Sequence, residues 1–182
     1  MIIRFIFVLV VIFFNNILSM ELTNKLSPEL NSFDKKWEFI SDQVMGGLST
    51  GNLEIITEED EFFYRLNGKV TIENNGGFIQ FRSIINLKKS DYEGVEITVR
   101  GNGANYSTHL TTKYTVLPWQ YYTHEILTTD SWTTLKIFFR DFKKSHFYQP
   151  QSFSSDDITT VGFVAIGRNF DALLDIKNIE FF

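Results

Sequence analysis

Residues 52–85, NLEIITEEDEFFYRLNGKVTIENNGGFIQFRSII, decide the fold class of this chain. Runs rich in Ile, Phe, Tyr and Val alternate here with short polar segments, and such residues pack well on a pleated sheet but lose side-chain freedom in a helix. The four consecutive acids at positions 58–61 repel one another unless they are solvated, which predicts a hairpin tip. Asn67-Gly68 and residues 74–77 tolerate positive φ and predict two further turns. The stretch therefore predicts antiparallel strands joined by tight turns.

The same pattern continues on both sides of this stretch. Short strands that recur roughly every ten residues are typical of an antiparallel sandwich or barrel. We therefore predict an all-β protein built as an antiparallel β-sandwich. The predicted strands cover residues 37–40, 52–57, 62–66, 69–73, 78–85, 95–100, 106–114, 120–127, 133–139, 160–166 and 172–181.

The composition excludes several classes of protein. The chain has 182 residues, which favours one globular domain because domains contain about 150 residues. With 17 Lys and Arg against 22 Asp and Glu the net charge is −5, and an acidic chain does not cover the phosphates of a nucleic acid. Because there is no cysteine, disulfides, thiolate metal sites and cysteine nucleophiles are excluded together.

The first 19 residues form a segment of their own. Arg4 precedes an uninterrupted apolar run at positions 5–14, FIFVLVVIFF, and the small residue Ser19 follows it, which is the layout of a secretory signal peptide. The run is too short to span a bilayer as a helix, which takes about 20 residues. We therefore expect residues 1–19 to be removed and the protein to be exported, periplasmic or secreted, with no stable transmembrane span. The alternative is an uncleaved tether. Residues 20–36 are polar and predict a linker or N-terminal extension.

The sequence lacks the motifs of common catalytic sites. It contains no G-x-S-x-G, no H-E-x-x-H, no P-loop and no G-x-G-x-x-G that opens a helix. His109 and His124 fall in neighbouring predicted strands, where they form a two-histidine pocket if both face the same side, but neither has a carboxylate at ligand spacing. We therefore expect no catalytic residue, no metal and no cofactor, and predict that the protein is not an enzyme.

Small and polar residues punctuate the strands in a distinctive order. The chain carries W-x-x-x-S-D-x-V-M-G-G-x-S at positions 37–49, G-G-F-x-x-x-R at 76–82, Y-x-G-V at 92–95 and R-G-N-G-x-x-Y at 100–106. The residues that carry this order are Trp37, Ser41, Asp42, Gly46, Gly47, Ser49, Gly76, Gly77, Phe78, Gly94, Gly101, Gly103 and Trp132.

Over residues 37–182 this order resembles the family of complex I intermediate-associated protein 30. The resemblance implies a jelly-roll sandwich of the galactose-binding-domain kind, similar to some carbohydrate-binding modules, without known catalysis. It also implies a chaperone role, because mitochondrial members act in the assembly of respiratory complex I. The chain departs from the family at Asn102, where the family has aspartate, and at Phe138-Phe139, where it usually has Pro-Phe.

Three further arguments select candidate binding residues. Asp42 either caps backbone amides of its turn, with Gly46 or Gly47 at positive φ, or contacts a ligand, and capping is favoured. Arg82 and Arg100 are expected to pair with acids such as Asp42 or Asp91, because an unpaired buried charge is costly. Asn102 and Tyr106 belong to the turn in which the family's carboxylate is replaced by an amide.

Alternation along the strand at 120–127 completes the set of candidates. Period-two geometry places Gln120, Tyr122, His124 and Ile126 on one face and Trp119, Tyr121, Thr123 and Glu125 on the other. Aromatic rings beside hydrogen-bonding groups suit stacking on a sugar ring or an anchored peptide contact. The candidate binding residues are Asp42, Arg82, Arg100, Asn102, Tyr106, Trp119, Tyr122 and His124.

Two functions from different classes follow. The leading one is a non-enzymatic binding and assembly protein, as the family resemblance implies, which presents its jelly-roll surface to a protein partner such as a respiratory-complex subunit or assembly intermediate. The alternative is a carbohydrate-binding module of the cell envelope on the same fold, with a glycan as its ligand.

Overall fold

The computed structural model describes residues 20–21, 31–32, 35–87 and 91–182. The strands are β1 (Met20–Glu21), β2 (Asn31–Ser32), β3 (Lys35–Ser41), β4 (Thr50–Glu58), β5 (Glu61–Val70), β6 (Phe78–Ile84), β7 (Gly94–Gly101), β8 (Asn105–Thr112), β9 (Tyr122–Leu127), β10 (Thr133–Phe138), β11 (Lys143–Lys144), β12 (Ile158–Ile166) and β13 (Phe170–Phe181). Short 3-10 helices occur at Asp42–Met45, Glu73–Asn75, Phe139–Asp141 and Ser155–Asp157.

The strands form two antiparallel sheets. The first sheet has the order β10-β7-β13-β5-β4, with β1 also paired to β13, and the second has the order β11-β9-β8-β12-β6-β3-β2. Neighbours such as β12 and β6, or β13 and β7, are antiparallel throughout. The prediction of an all-β antiparallel sandwich is therefore confirmed.

The core lies between the two sheets and is built around aromatic rings. The ring of Trp37, on β3, lies 5.6 Å from the ring of Tyr64 on β5 in the opposite sheet, 5.4 Å from that of Phe81 and 6.2 Å from that of Phe163. All four side chains are buried. Tilted rings at these separations add attraction to the burial of their apolar area, so Trp37 fastens one sheet to the other.

Two of the three predicted turns in the 52–85 stretch are confirmed. Glu59 and Asp60 have positive φ between β4 and β5, at the acidic hairpin tip. Asn74 and Asn75 also have positive φ, and Gly77 follows them at φ 133°.

The third predicted turn is wrong. Asn67-Gly68 lies inside β5, so the predicted strands at 62–66 and 69–73 are one continuous strand. Gly68 pairs with Gly51, and a Cβ at position 68 would lie 2.2 Å from the carbonyl oxygen of Thr50. The glycine is therefore needed for the close approach of β4 to β5.

The predicted signal peptide at residues 1–19 lies outside the described residues, as does most of the predicted linker at 20–36. Within the part of the chain that the structure describes, no helix is long and apolar enough to cross a membrane.

Candidate functional site

A groove of about 660 Å³ lies on the outer face of the second sheet. It crosses β3, β6, β12 and β8, and its walls are the 3-10 helix Asp42–Met45 and the loop that leads into β9. Alternation along the strands selects the lining, because Ile79, Phe81 and Phe163 point into the core while their neighbours point outward. The lining residues are Ile40, Val44, Met45, Phe78, Gln80, Arg82, His109, Thr111, Pro118, Trp119, Gln120, Tyr121, Thr160, Gly162, Val164 and Ile166.

The floor of the groove has a gap at its centre. Strand register places Arg82 beside Gly162 and Gly162 beside His109, and neighbours in such a row share one face of the sheet. A Cβ at position 162 would lie 3.2 Å from Cβ of Arg82 and 3.6 Å from Oε1 of Gln80. Because residue 162 is glycine, the space between the side chains of Arg82 and His109 stays open.

Aromatic side chains form one wall of the groove. The imidazole of His109 stacks on Tyr121, with ring centroids 4.0 Å apart and an interplanar angle of 10°. Burial lowers the pKa of His109 to about 4, so at neutral pH the ring is uncharged and offers one N–H donor and one acceptor nitrogen. Trp119 stands at the mouth of the groove with 56% of its surface exposed.

Gln120 brings an unused donor to the same wall. Its side chain is buried, and its Oε1 accepts hydrogen bonds from the amides of Val116 (2.7 Å) and Leu117 (2.9 Å). Its Nε2 makes no hydrogen bond to any described residue. Because a buried polar atom without a partner is costly, this donor is available to a ligand oxygen.

Asp42 fixes the opposite wall from beneath. The carboxylate is fully buried and accepts hydrogen bonds from the amide (2.9 Å) and hydroxyl (2.5 Å) of Ser49 and from the amides of Gly77 (2.5 Å) and Phe78 (3.2 Å). Burial by itself raises the pKa of this carboxyl, but the hydrogen bonds outweigh burial and hold the pKa of Asp42 below its usual range. The residue caps backbone amides and has no surface to offer a ligand.

Two glycines make room for this carboxylate. A Cβ at Gly47 would lie 2.4 Å from Cγ of Asp42, and a Cβ at Gly76 would lie 2.5 Å from its Oδ2. Of the two glycines considered for positive φ, Gly46 has φ 88°. The motifs at 37–49 and 76–82 therefore meet around one carboxylate, which holds Val44 and Met45 at the edge of the groove.

The expectation that Arg82 and Arg100 pair with acids is confirmed for Arg100, but the acids named, Asp42 and Asp91, are wrong, and for Arg82 the pairing is wrong. Arg100 Nε contacts Asp175 Oδ2 at 2.8 Å, and its Nη2 contacts Glu58 at 2.8 Å. These three residues lie on the outer face of the first sheet, away from the groove, because β4, β7 and β13 belong to that sheet. The carboxylate of Asp42 instead accepts hydrogen bonds from backbone amides. No ion pair among the described residues involves Arg82, which lies half-buried in the groove.

Aromatic rings shield the Arg100 cluster. The guanidinium of Arg100 lies 4.5 Å from the ring centroid of Trp132 and 4.9 Å from that of Phe63, and Arg65 also contacts Asp175 at 2.7 Å. Trp132 thus belongs to a satellite cluster on this face of the protein.

Asn102 and Tyr106 lie outside the groove and hydrogen-bond to each other and to the backbone of β13. The hydroxyl of Tyr106 donates to Oδ1 of Asn102 (2.7 Å) and accepts from the amide of Leu173 (2.9 Å), while Nδ2 of Asn102 donates to the carbonyl of Asp171 (2.7 Å). An aspartate at position 102 has no N–H for that last bond. Nearby, Gly103 has φ 81°, and a Cβ at Gly101 would lie 2.5 Å from Oγ1 of Thr128.

Alternation holds within β9, but the strand begins at Tyr122, and the expectation that Gln120 lies on the face opposite Trp119 and Tyr121 is wrong because all three precede the strand and line the groove. Tyr122 is fully buried on the core side and donates to the carbonyl of Pro150 (2.9 Å). His124 packs against Phe142 on that side, with ring centroids 5.8 Å apart. Trp119 and Tyr121 line the groove.

The two-histidine pocket does not form. Register pairs Thr108 with His124 and His109 with Thr123, so the two histidines lie on opposite faces of the sheet. No group of three or more His, Cys, Asp or Glu side chains with the geometry of a metal site occurs among the described residues.

The groove thus contains Arg82 and Trp119 of the candidates, with Asp42 beneath it, and excludes Arg100, Asn102, Tyr106, Tyr122 and His124. Sequence reasoning missed Gln80, Thr111, Thr160 and Gly162. Alternation within each strand marks these residues as outward-facing, but only the strand order brings β3, β6, β12 and β8 side by side.

The fold belongs to the β-sandwich class of which carbohydrate-binding modules are examples. The family 11 module of the cellulosomal cellulase Lic26A-Cel5E of Clostridium thermocellum superposes with a TM-score of 0.64 and 14% identity, over 89% of this chain and 91% of that one. The family 30 module of the cellulosomal cellulase Cel9D-Cel44B of the same organism gives a TM-score of 0.59 and 16% identity, over 91% and 97%. Identities this low establish a common fold alone.

The chain belongs to the complex I intermediate-associated protein 30 family, because the model of that family matches residues 27–176. The resemblance inferred from the motifs is thereby confirmed. No curated protein sequence matches the chain at a significant level.

Proposed function

We propose that this protein is a non-enzymatic binding protein and that its groove binds a segment of a saccharide chain. The observation that carries the proposal is the exposed ring of Trp119 at the mouth of a groove lined by the hydrogen-bonding side chains of Gln80, Arg82 and Thr111. A sugar ring has apolar faces that stack on aromatic rings and hydroxyl groups that hydrogen-bond at its edge. The groove offers both kinds of contact.

The dimensions of the groove also support this proposal. It crosses four neighbouring strands of one sheet, and strands lie about 4.8 Å apart, so the floor extends over about 14 Å. An extended chain of a few sugar rings matches such a floor. A family 11 carbohydrate-binding module of the same fold has been solved with a β-1,3-1,4-mixed-linked tetrasaccharide, at a TM-score of 0.63 and 14% identity over 90% of this chain and 93% of that one, which supports the proposal by analogy of fold.

A second candidate function is the binding of a protein partner, such as a respiratory-complex subunit or assembly intermediate. The family of the chain supports it, and so do two apolar side chains at the edge of the groove. Val44 is 73% exposed and Met45 is 64% exposed. Exposed apolar side chains of this kind are common where proteins contact one another.

A glycan array and a pull-down from membranes, each performed with the full chain, separate the two functions. Trp119→Ala removes the stacking ring, and Phe147→Ala is the matched control because Phe147 is 88% exposed and lies outside the groove. We expect saccharide binding that Trp119→Ala abolishes and Phe147→Ala leaves unchanged. Capture of a protein that no saccharide displaces, with no glycan bound, would favour the second function.

We also propose that the protein acts outside the cytoplasm, where envelope and extracellular glycans occur. The apolar run at residues 5–14 supports this proposal.

A further inference from the structure

The lining of the groove differs in charge from the rest of the protein. The chain contains 22 Asp and Glu residues, yet none of the residues that line the groove is acidic. Arg82 is the one Lys, Arg, Asp or Glu among them. The one formal charge in the lining of the groove is therefore positive, on a protein that is acidic as a whole.

Arg82 forms no ion pair with any residue of the described part of the chain. Its register neighbour Glu38 is exposed, lies outside the lining and forms no ion pair with it. By contrast, Arg65 and Arg100 both contact the buried carboxylate of Asp175. Burying part of a guanidinium away from water costs free energy, and an anionic partner from outside the chain lowers that cost.

The hydrogen-bonding inventory of the groove points to the same kind of partner. Arg82 carries five N–H donors and no acceptor, and Nε2 of Gln120 is a buried donor without a partner. Gly162 leaves the space next to Arg82 open, with neutral His109 on its far side. Arg82 is the charged donor beside this space, so an anionic group that accepts hydrogen bonds from it fits there.

We propose that the saccharide bound by this groove is acidic, and that Arg82 binds the carboxylate of a uronic acid residue in it. The inference rests on the proposed function and assigns its ligand class. The planar guanidinium donates two parallel hydrogen bonds to a carboxylate, and the fork matches the spacing of the two carboxylate oxygens. Trp119 stacks on a ring of the same chain, so Arg82 supplies the preference for acid and Trp119 supplies much of the affinity.

The test compares uronate oligosaccharides with their carboxyl-reduced counterparts, which have the same linkages but no charge. We expect the wild-type protein to bind at least one uronate trimer ten-fold or more tighter than its reduced counterpart, and this preference to shrink with added salt. Arg82→Gln should bind both members of the pair equally, and Arg82→Lys, which keeps the charge but loses the fork, should show an intermediate preference. The matched control is Arg140→Gln, because Arg140 is exposed and lies outside the groove, and it should keep the full preference.

Three outcomes would overturn the inference. The first is equal binding of acidic and reduced trimers by the wild-type protein, and the second is an undiminished preference for the acidic trimer in Arg82→Gln that folds with an unchanged circular dichroism spectrum. The third is a stronger preference for sulfated oligosaccharides than for uronate oligosaccharides. In the first case, the proposed function still holds if the wild-type protein binds the reduced trimers and Trp119→Ala does not. If the wild-type protein binds no saccharide on the array, the proposed function itself fails.

Discussion

Asp42 explains why the motifs at 37–49 and 76–82 occur together, because it binds Gly77, which lies 35 residues further along the chain. A carboxylate accepts several hydrogen bonds at once, and here it receives them from Ser49, Gly77 and Phe78, which belong to the two motifs. Because the same residue begins the 3-10 helix that carries Val44 and Met45, its effect on binding is indirect. Asp42 is a positioning residue for the wall of the groove.

Replacing Asp42 tests this role. We expect Asp42→Ala to lower the free energy of unfolding by about 3 kcal/mol, because buried amides lose their acceptor and each such loss costs about 1–3 kcal/mol. Urea denaturation measures the change, and saccharide binding should weaken in parallel. Asp130→Ala is the control, since Asp130 is exposed and hydrogen-bonds only its neighbour Ser131. Lost binding at an unchanged melting temperature would instead mean that the carboxylate contacts the ligand.

Gly46 and Gly47 are needed in this loop for different physical reasons, which their substitution should reveal. Gly46→Ala meets nothing within 4 Å and pays only for its left-handed conformation, about 1–2 kcal/mol. Gly47→Ala should cost more, because its Cβ would lie 2.4 Å from Cγ of Asp42. Asp42→Ala removes the contacts with Cγ and Oδ1 but keeps the one with Cβ at 2.8 Å, so in that background the cost of Gly47→Ala should fall in part while the cost of Gly46→Ala stays the same. Additive free energies for Asp42 and Gly47 would contradict this account.

At the scale of elements, the sequence predicts what depends on neighbours along the chain and misses what depends on neighbours in space. The faces of β9 follow from alternation alone, and so does the acidic tip between β4 and β5. Asn67-Gly68 has the residues of a tight turn, yet β5 continues through it because Gly51 of β4 approaches at that point. Likewise, the groove requires the order β3-β6-β12-β8, which brings together strands that are far apart in sequence.

The open floor of β12 gives an element-scale prediction. Gly162→Ala places a methyl group 3.2 Å from Cβ of Arg82 and 3.3 Å from the carbonyl oxygen of Phe81, so the two strands must separate by a few tenths of an ångström and the melting temperature should fall by a few degrees. Binding of the uronate trimer should weaken several-fold, because the methyl group occupies the space next to the guanidinium. Isothermal titration calorimetry measures the affinity. Unchanged affinity would show that the ligand does not enter this gap.

The N-terminal segment gives a second prediction at this scale. The apolar run at residues 5–14 with Ser19 after it predicts cleavage behind Ser19 during export. Intact-mass spectrometry of the protein from its native source should find a chain that begins at Met20. A chain that begins at Met1 in a cytosolic fraction would refute the proposed export.

At the scale of the whole molecule, the two outer faces of the sandwich are built differently. On the first sheet, Arg65 and Arg100 share Asp175, Phe63 contacts both guanidinium groups and Trp132 covers that of Arg100, so the charges are paired and the aromatic rings are in contact with them. On the second sheet, Arg82 and the ring of Trp119 have no such cover. The charged side chains of the first face have partners within the protein. The second face has an arginine without an ion pair among the described residues and an exposed tryptophan ring, which are typical of a binding site.

The pH dependence of stability should report on the groove as well as on the loop beneath it. Because burial lowers the pKa of His109 to about 4 from 6.5, the unfolded chain binds a proton between these values that the folded chain does not. Stability is therefore fully present above pH 6.5 and falls as pH decreases towards 4, by up to about 3 kcal/mol from this residue. The carboxyls of Asp42 and Asp157, whose pKa values are lowered, lose their contribution to stability only below the unfolded value of about 3.8.

Urea denaturation at a series of pH values measures this dependence. Between pH 6.5 and 4, His109→Gln should lose less stability than the wild-type protein, and at lower pH both should lose the same amount. Identical slopes for both proteins in the upper window would mean that the pKa of His109 is not lowered by its burial in the fold.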